Sequence, residues 1–76
     1  MNFPSKEQVE GVRMAYPKGT RVELVFTDDP YTKLQPDDLG TVNDVDDTGT
    51  VFVKWDKGST LGMVYGVDVI GRVFKE

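Results

Sequence analysis

The chain has 76 residues, a formal net charge of −4, 29% charged residues and 38% hydrophobic residues. A chain of this length forms one domain with a small core, and it carries neither a signal-peptide pattern nor an apolar run of transmembrane length. It contains no histidine and no cysteine, which removes the commonest general base, the best protein nucleophile, disulfides and thiolate metal ligands. We therefore expect residues 1–76 to form a single cytoplasmic domain that is not an enzyme, has no contact with a membrane and binds no metal or cofactor.

Residues 5–16 are predicted to form a short N-terminal helix. Ser5 can cap this helix, and Gln8 stands three residues later, as in a capping box. Three apolar residues recur at helical spacing and share one face: Val9, Val12 and Tyr16. Pro17 ends the pattern. Because about three turns of a poor helix former are unstable alone in water, we expect the helix to dock on the rest of the domain or on another protein.

Residues 20–74 alternate between apolar and polar side chains in short runs, which is the pattern of half-buried β-strands. Five strands are predicted, at residues 20–27, 40–46, 50–55, 59–65 and 69–74. Five short strands with this spacing fit a closed or nearly closed barrel better than a sandwich, which needs more strands. The predicted fold is therefore mainly β: a small five-stranded barrel at residues 20–74 with a short N-terminal α-helix.

The strand sequences also predict how side chains pack. Three apolar residues share one face of the first strand: Val22, Leu24 and Phe26. Val42 and Val45 break the alternation of the second strand, which predicts a β-bulge there. Trp55 alternates in phase with Val51 and Val53, so we expect its indole to fill the interior.

The negative charge is concentrated in one part of the chain. Residues 28–47 contain seven aspartates and one lysine, so this segment carries −6 and the remainder +2. Aspartate is common in turns because its side chain bonds the local backbone, so a structural role is one interpretation. The other is an acidic surface for a basic partner, or a mimic of nucleic-acid phosphates.

The order of loops and turns resembles the Src-homology-3-like small barrel, with a long first loop, two tight hairpins, a short break and a final short strand. Residues 40–68, with the Trp-Asp-Lys-Gly sequence at 55–58 as the most specific element, are similar to the Mib-Herc2 class of these barrels. That class binds short peptide segments, so the resemblance implies a peptide- or protein-docking module. Residues 16–68, including the Thr-Asp-Asp-Pro-Tyr-Thr sequence at 27–32, also resemble a bacterial family of unknown function found on phages and conjugative elements.

The predicted binding surface combines the first loop with the break before the last strand, two segments that lie side by side in small barrels. It comprises four aspartates and two tyrosines: Asp28, Asp29, Tyr31, Asp37, Asp38 and Tyr65. Aromatic side chains on loops supply much of the contact energy at interfaces, and the aspartates favour a basic protein or peptide partner. Tyr65 also alternates with Leu61 and Met63, so a core position with its hydroxyl at the rim is the alternative interpretation.

The leading hypothesis is a non-enzymatic protein-interaction module, an accessory or regulatory protein of a phage or conjugative element. One alternative is an acidic inhibitor that mimics nucleic acid and occupies the groove of a DNA- or RNA-processing enzyme. Another is a small barrel that itself binds nucleic acid through outward basic residues such as Arg21 and Lys54, although the overall acidity argues against it. Nothing in the sequence selects a monomer over a homodimer.

Overall fold

One helix and five strands make up the part of the chain that the computed structural model describes, residues 4–74. Their bounds are α1 Lys6–Ala15, β1 Arg21–Phe26, β2 Leu39–Val45, β3 Val51–Trp55, β4 Gly62–Met63 and β5 Val69–Arg72. The mainly β class and the short N-terminal helix are confirmed, whereas the outermost residues of the predicted 1–76 domain lie outside the described range. Over residues 4–74, no helix combines the length and the apolar character needed to cross a membrane.

The five strands form one antiparallel sheet in the order β4-β3-β2-β1-β5. A long loop, residues 27–38, joins β1 to β2, and the chain returns after β4 to place β5 beside β1. The predicted number of strands is confirmed. The predicted closure into a barrel is not, because β4 and β5 occupy opposite edges of the sheet and do not pair with each other within residues 4–74.

The sheet stays open in part because β4 is only two residues long. This strand is much shorter than predicted. Of the predicted strand at residues 59–65, only Gly62–Met63 pairs with β3. Ahead of this pair, the Leu61 carbonyl accepts a hydrogen bond from the Trp55 indole at 3.1 Å. After it, residues 64–68 turn the chain towards β5. The backbone on both sides of β4 is therefore committed to contacts other than a strand ladder.

Two bulges interrupt the sheet. One lies between Val42 and Asp44 of β2, where the broken alternation predicts it. The other lies between Leu24 and Phe26 of β1 and has no counterpart in the alternating sequence pattern. It shifts the register so that Phe26 pairs with Val69 and is 52% exposed, instead of sharing the buried face of the strand with Leu24.

The core is built from one face of the sheet and one residue of the long loop. The buried cluster comprises Val22, Leu24, Leu34, Val42, Val45, Val51, Val53, Trp55 and Met63. Trp55 is the largest of these side chains and is 1% exposed, which confirms its predicted interior position. Leu34 reaches the core from the otherwise polar loop, and this anchor holds the loop against the sheet.

The helix docks on the sheet of its own chain. Its capping box forms as predicted, since the Ser5 hydroxyl accepts from the Gln8 amide at 3.1 Å and the Gln8 side chain accepts from the Ser5 amide at 2.7 Å. In its last turn, Arg13 donates to the Val45 carbonyl at 3.3 Å and to the Asp47 carboxylate at 2.9 Å. These bonds tie the helix to β2 and to the turn that follows β2.

The apolar face of the helix is only partly covered. Val9 is fully buried, whereas Val12 and Tyr16 are half-buried and pack against the edge of the core. The Tyr16 hydroxyl donates to the Ile70 carbonyl of β5 at 3.3 Å. Val12 of the helix and Tyr16, the residue that caps its C-terminus, therefore remain partly accessible beside β5.

Candidate functional site

Asp68 joins the start of the long loop to the turn at residues 64–68. One of its carboxylate oxygens accepts from the Thr27 hydroxyl at 3.0 Å and from the Asp28 amide at 2.9 Å. The other accepts from the Val64 amide at 2.9 Å. These three bonds place the first loop and the break before the last strand side by side, as the sequence predicts.

Removing the Asp68 carboxylate should loosen both segments at once. We expect Asp68→Ala to lower the free energy of unfolding by about 1–3 kcal/mol, because three polar hydrogens lose a charged acceptor. Amide hydrogen exchange should accelerate at Asp28 and Val64, whose amides donate to Asp68. Asp44→Ala is the matched control, since the Asp44 carboxylate accepts only from the neighbouring Val45 amide within residues 4–74. Equal exchange rates in the wild-type protein and Asp68→Ala would contradict this role.

Around this junction lies a group of large apolar side chains that are 41% to 52% exposed. We call it the apolar patch, and it consists of Phe26, Val64, Tyr65, Val67 and Val69. Phe26 and Val69 are partners across β1 and β5, and the other three belong to the turn. An exposed group of this kind is uncommon on a soluble monomer and usually marks a site of interaction.

A groove on one side of the turn has an acidic wall. The acidic groove encloses about 280 Å³. Its lining comprises residues of the loop, of the segment around β4 and of the turn: Thr27, Asp28, Asp29, Leu61, Gly62, Val64, Val67 and Asp68. Because aspartates and apolar residues line it together, this groove suits a segment that carries both a positive charge and an apolar side chain.

A second groove lies on the other side of the turn, against the helix. This helix groove encloses about 240 Å³. Its lining includes Val12 and Tyr16 from the helix, Tyr65 and Val69 from the patch, and Val51 and Met63 from the core. The two grooves share Val64 and Asp68, so the same turn borders both of them.

The six predicted site residues are spread over different parts of this region. Asp28 and Asp29 line the acidic groove, and Tyr65 lines the helix groove. Tyr31 stands at the tip of the loop, is 92% exposed and lines neither groove. The remaining two lie on the returning part of the loop, just before β2: Asp37 and Asp38.

Several aspartates of the loop also hold its backbone. The Asp29 carboxylate accepts from the Tyr31 amide at 2.9 Å. Asp38 accepts from the Gln35 amide at 2.8 Å and from the Lys57 ammonium at 2.9 Å. The bond from the Gln35 amide, followed by the bond from Lys57, lowers the pKa of Asp38. Asp29 and Asp38 therefore have the structural role that one interpretation of the acidic segment expects.

The acidic turn after β2 and the turn after β3 contain two more stabilised carboxylates. The Thr48 hydroxyl, with the Thr48 and Thr50 amides, lowers the pKa of Asp46. A two-pronged ion pair with Arg21, at 2.9 and 2.7 Å, lowers the pKa of Asp56. Each carboxylate is better stabilised as an anion in the folded chain than in the unfolded chain.

These shifts set the direction of the pH dependence of stability. A carboxyl group whose folded-state pKa is depressed stabilises the fold above its unfolded pKa of about 4, and that contribution is lost as the pH falls through the folded value. We therefore expect the free energy of unfolding, measured with urea, to decline below about pH 4. Asp46→Asn keeps the side-chain oxygen that accepts from Thr48 but cannot ionise, so its decline should be shallower. A profile that stays level into the acid range would contradict this expectation.

The sequence does not single out much of this surface. It points to Asp28, Asp29 and Tyr65, but it does not identify the role of Asp68 or the exposure of Phe26. Two valines of the patch, Val64 and Val69, were placed only on predicted strands, and Val67 was placed in the break before the last strand without a role of its own. The dense apolar composition of residues 64–69 is the signal that could have found them, because a turn rarely carries so many large apolar side chains.

The structure defines a mainly β domain with an open five-stranded sheet, a docked helix and an apolar surface beside an acidic loop. The chain belongs to the family described as domain of unknown function DUF4314, whose model matches residues 5–73. No curated protein and no solved structure matches the chain. The family confirms the predicted resemblance to proteins of unknown function, and its description names neither a mobile element nor a small barrel.

Proposed function

We propose that this protein is a non-enzymatic protein-interaction module that binds a basic, partly apolar segment of another protein. The observation that carries the proposal is that two exposed valines of the apolar patch, Val64 and Val67, line one groove together with Asp28 and Asp29. Apolar side chains supply the free energy of such a contact, and rim charges select the partner and speed its approach.

The charge distribution supports a basic partner. Within residues 4–74, the ion pairs join Arg13, Arg21 and Lys57 to aspartates or a glutamate outside the acidic groove. Asp28 and Asp29 take part in none of these pairs. Their charge is therefore free to act on an approaching cation.

The same ion pairs weigh against direct binding of nucleic acid. Arg21, the predicted outward cation of β1, is held by Asp56 at 2.7 Å. Lys57 is held by Asp38 at 2.9 Å. Arg21 and Lys57, which are already paired with carboxylates, gain less from contacting phosphates, whereas Lys54, the other predicted outward cation, takes part in no ion pair within residues 4–74. A gel shift with random-sequence DNA and RNA tests this, and retention of either nucleic acid would favour the nucleic-acid alternative.

The fold assignment belongs to the same proposal. We infer a Src-homology-3-like arrangement, supported by the antiparallel order β4-β3-β2-β1-β5, the long loop after β1 and the short turn before β5. A role as an accessory protein of a phage or conjugative element rests on the sequence resemblance alone. Fold does not determine function, so the binding proposal rests on the surface and not on the fold.

Selection from a random-peptide display library on the purified protein tests the proposal. We expect the enriched peptides to combine Lys or Arg with large apolar residues. Asp28→Asn removes one charge, and it should weaken the best peptide about two- to fivefold at low salt. Asp44→Asn, the matched loss of one charge on β2, should leave the affinity unchanged. Failure to enrich any peptide, or equal effects of the two substitutions, would count against the proposal.

The acidic-mimic alternative gives a different result in the same experiment. A mimic depends on many exposed charge pairs, so its binding affinity should fall steeply as the salt concentration rises. A module anchored by the apolar patch should lose only part of its affinity. Peptides that are purely basic and bind only at low salt would favour the mimic.

A further inference from the structure

We propose that the helix groove is a preformed pocket for one large apolar side chain, leucine or phenylalanine, of the bound partner. The inference deepens the proposed function and rests on it for the identity of the partner. The pocket itself is argued from the contacts between the helix, the turn and the core.

The walls of the helix groove are apolar on both sides. Val12 and Tyr16 belong to the helix face that the sequence predicts to be buried, yet they are only half-buried. Tyr65 and Val69 of the apolar patch, which are 41% and 48% exposed, also line the groove. Both pairs of residues therefore leave apolar surface in water that an inserted side chain would cover.

The floor of the groove is the core itself. Val51 and Met63, which are 4% and 2% exposed, form part of its lining. A side chain inserted here would contact buried apolar atoms, which is the environment of a binding hot spot. The bond from the Tyr16 hydroxyl to the Ile70 carbonyl at 3.3 Å fixes one wall. The groove is thus already formed, and filling it requires little ordering of the protein.

The size and position of the groove select its occupant. Its volume of about 240 Å³ is below the range of about 300–1,000 Å³ typical of small-molecule sites, so it suits a single side chain. The helix groove and the acidic groove are both bordered by Val64 and Asp68 of the turn. A segment lying over the turn can therefore place an apolar side chain in one groove and a basic side chain in the other.

Methyl NMR of the full chain tests the pocket without any partner. The probes are N-acetyl-phenylalanine amide and, as the matched control, N-acetyl-glycine amide. We expect saturable shifts of the Val12, Val64 and Val69 methyl groups with the first probe, in the millimolar range, and none with the second. The methyl groups of Val25, which lies outside both grooves, should not shift.

Two helix variants locate the binding. Val12→Phe fills the groove from the helix side and should abolish the shifts. Met14→Phe makes the same kind of change two residues away, where the side chain is 81% exposed, and should leave them intact. The wild-type titration decides the question even where Val12→Phe disturbs the fold.

The outcomes separate this inference from the proposed function. Absence of saturable shifts, or equal shifts in Val12→Phe, would overturn the pocket while leaving peptide binding at the patch untouched. Broadening of the same methyl signals with protein concentration alone would mean that a second copy occupies the groove, which would also overturn it. A pocket that binds the probe in a protein that enriches no peptide would support the pocket and reject the proposed function.

Discussion

Replacing Trp55 with alanine is expected to remove most of the free energy of unfolding of the protein at room temperature. Its indole is 1% exposed, lies at the centre of the buried cluster and donates to the Leu61 carbonyl at 3.1 Å. Loss of a buried tryptophan costs about 3–5 kcal/mol, against a total stability of about 5–15 kcal/mol for a natural domain. A chain of this size is expected near the lower end of that range. Urea unfolding followed by circular dichroism measures the effect.

A second substitution separates the two roles of this residue. Trp55→Phe keeps most of the apolar volume but leaves the Leu61 carbonyl without its indole donor. We expect this variant to fold with a stability between those of the wild-type protein and Trp55→Ala. An alanine variant with a wild-type unfolding midpoint would show that the indole is not the centre of the core.

The second large effect is expected at Gly40, where β2 passes over the core. A methyl group added there would lie 2.5 Å from a Val53 methyl carbon, 2.9 Å from the Trp55 ring and 3.0 Å from the Lys54 carbonyl oxygen. None of these neighbours can move freely, because Val53 and Trp55 are buried and Lys54 is in the strand ladder. Overpacking of this kind costs about 1–3 kcal/mol, so Gly40→Ala should lower the unfolding midpoint clearly.

Gly11→Ala is the control for this substitution. Gly11 lies within the helix, and an added methyl group there would have no neighbour within 4 Å. Alanine is the better helix former by about 1 kcal/mol, so this variant should be slightly more stable than the wild-type protein. Similar thermal midpoints for Gly40→Ala and Gly11→Ala would contradict the close approach of β2 to the core.

Local sequence signals were sufficient to predict those structural features that depend on one dominant physical constraint. The capping box at Ser5 and Gln8, the bulge after Val42 and the interior position of Trp55 follow from spacing and alternation, and the structure contains all three. Each depends on residues close together in the chain. Such features can be predicted because their causes are local.

Features set by distant contacts were not predictable in the same way. The bulge in β1 that exposes Phe26 depends on the register against β5, and the shortening of β4 depends on bonds to Trp55. Leu34 sits in a polar, proline-containing loop whose pattern gives no sign that one residue reaches the core. Tertiary contacts determine these positions, so the alternation of apolar and polar residues along the chain does not predict them.

In the candidate site, too, some features could be predicted from the sequence and others could not. The predicted adjacency of the long loop and the final turn rests on fold resemblance, and the three hydrogen bonds of Asp68 provide its physical basis. Part of the apolar patch was hidden because valines at strand spacing, such as Val64 and Val69, are ordinarily interior residues. In this chain the turn carries Val64 and Val67 outward, where they flank the acidic groove.

The most direct test of the proposed function is the affinity of the best selected peptide for two matched variants, measured by isothermal titration calorimetry. Val67→Asn places an uncharged polar side chain in the apolar patch, whereas Leu39→Asn makes the same kind of change at a similarly exposed residue outside both grooves (44% and 39% exposed). We predict that Val67→Asn weakens binding about tenfold or more and that Leu39→Asn binds as the wild-type protein does. Wild-type affinity in Val67→Asn, with both variants folded, would contradict the assignment of the apolar patch as the binding surface.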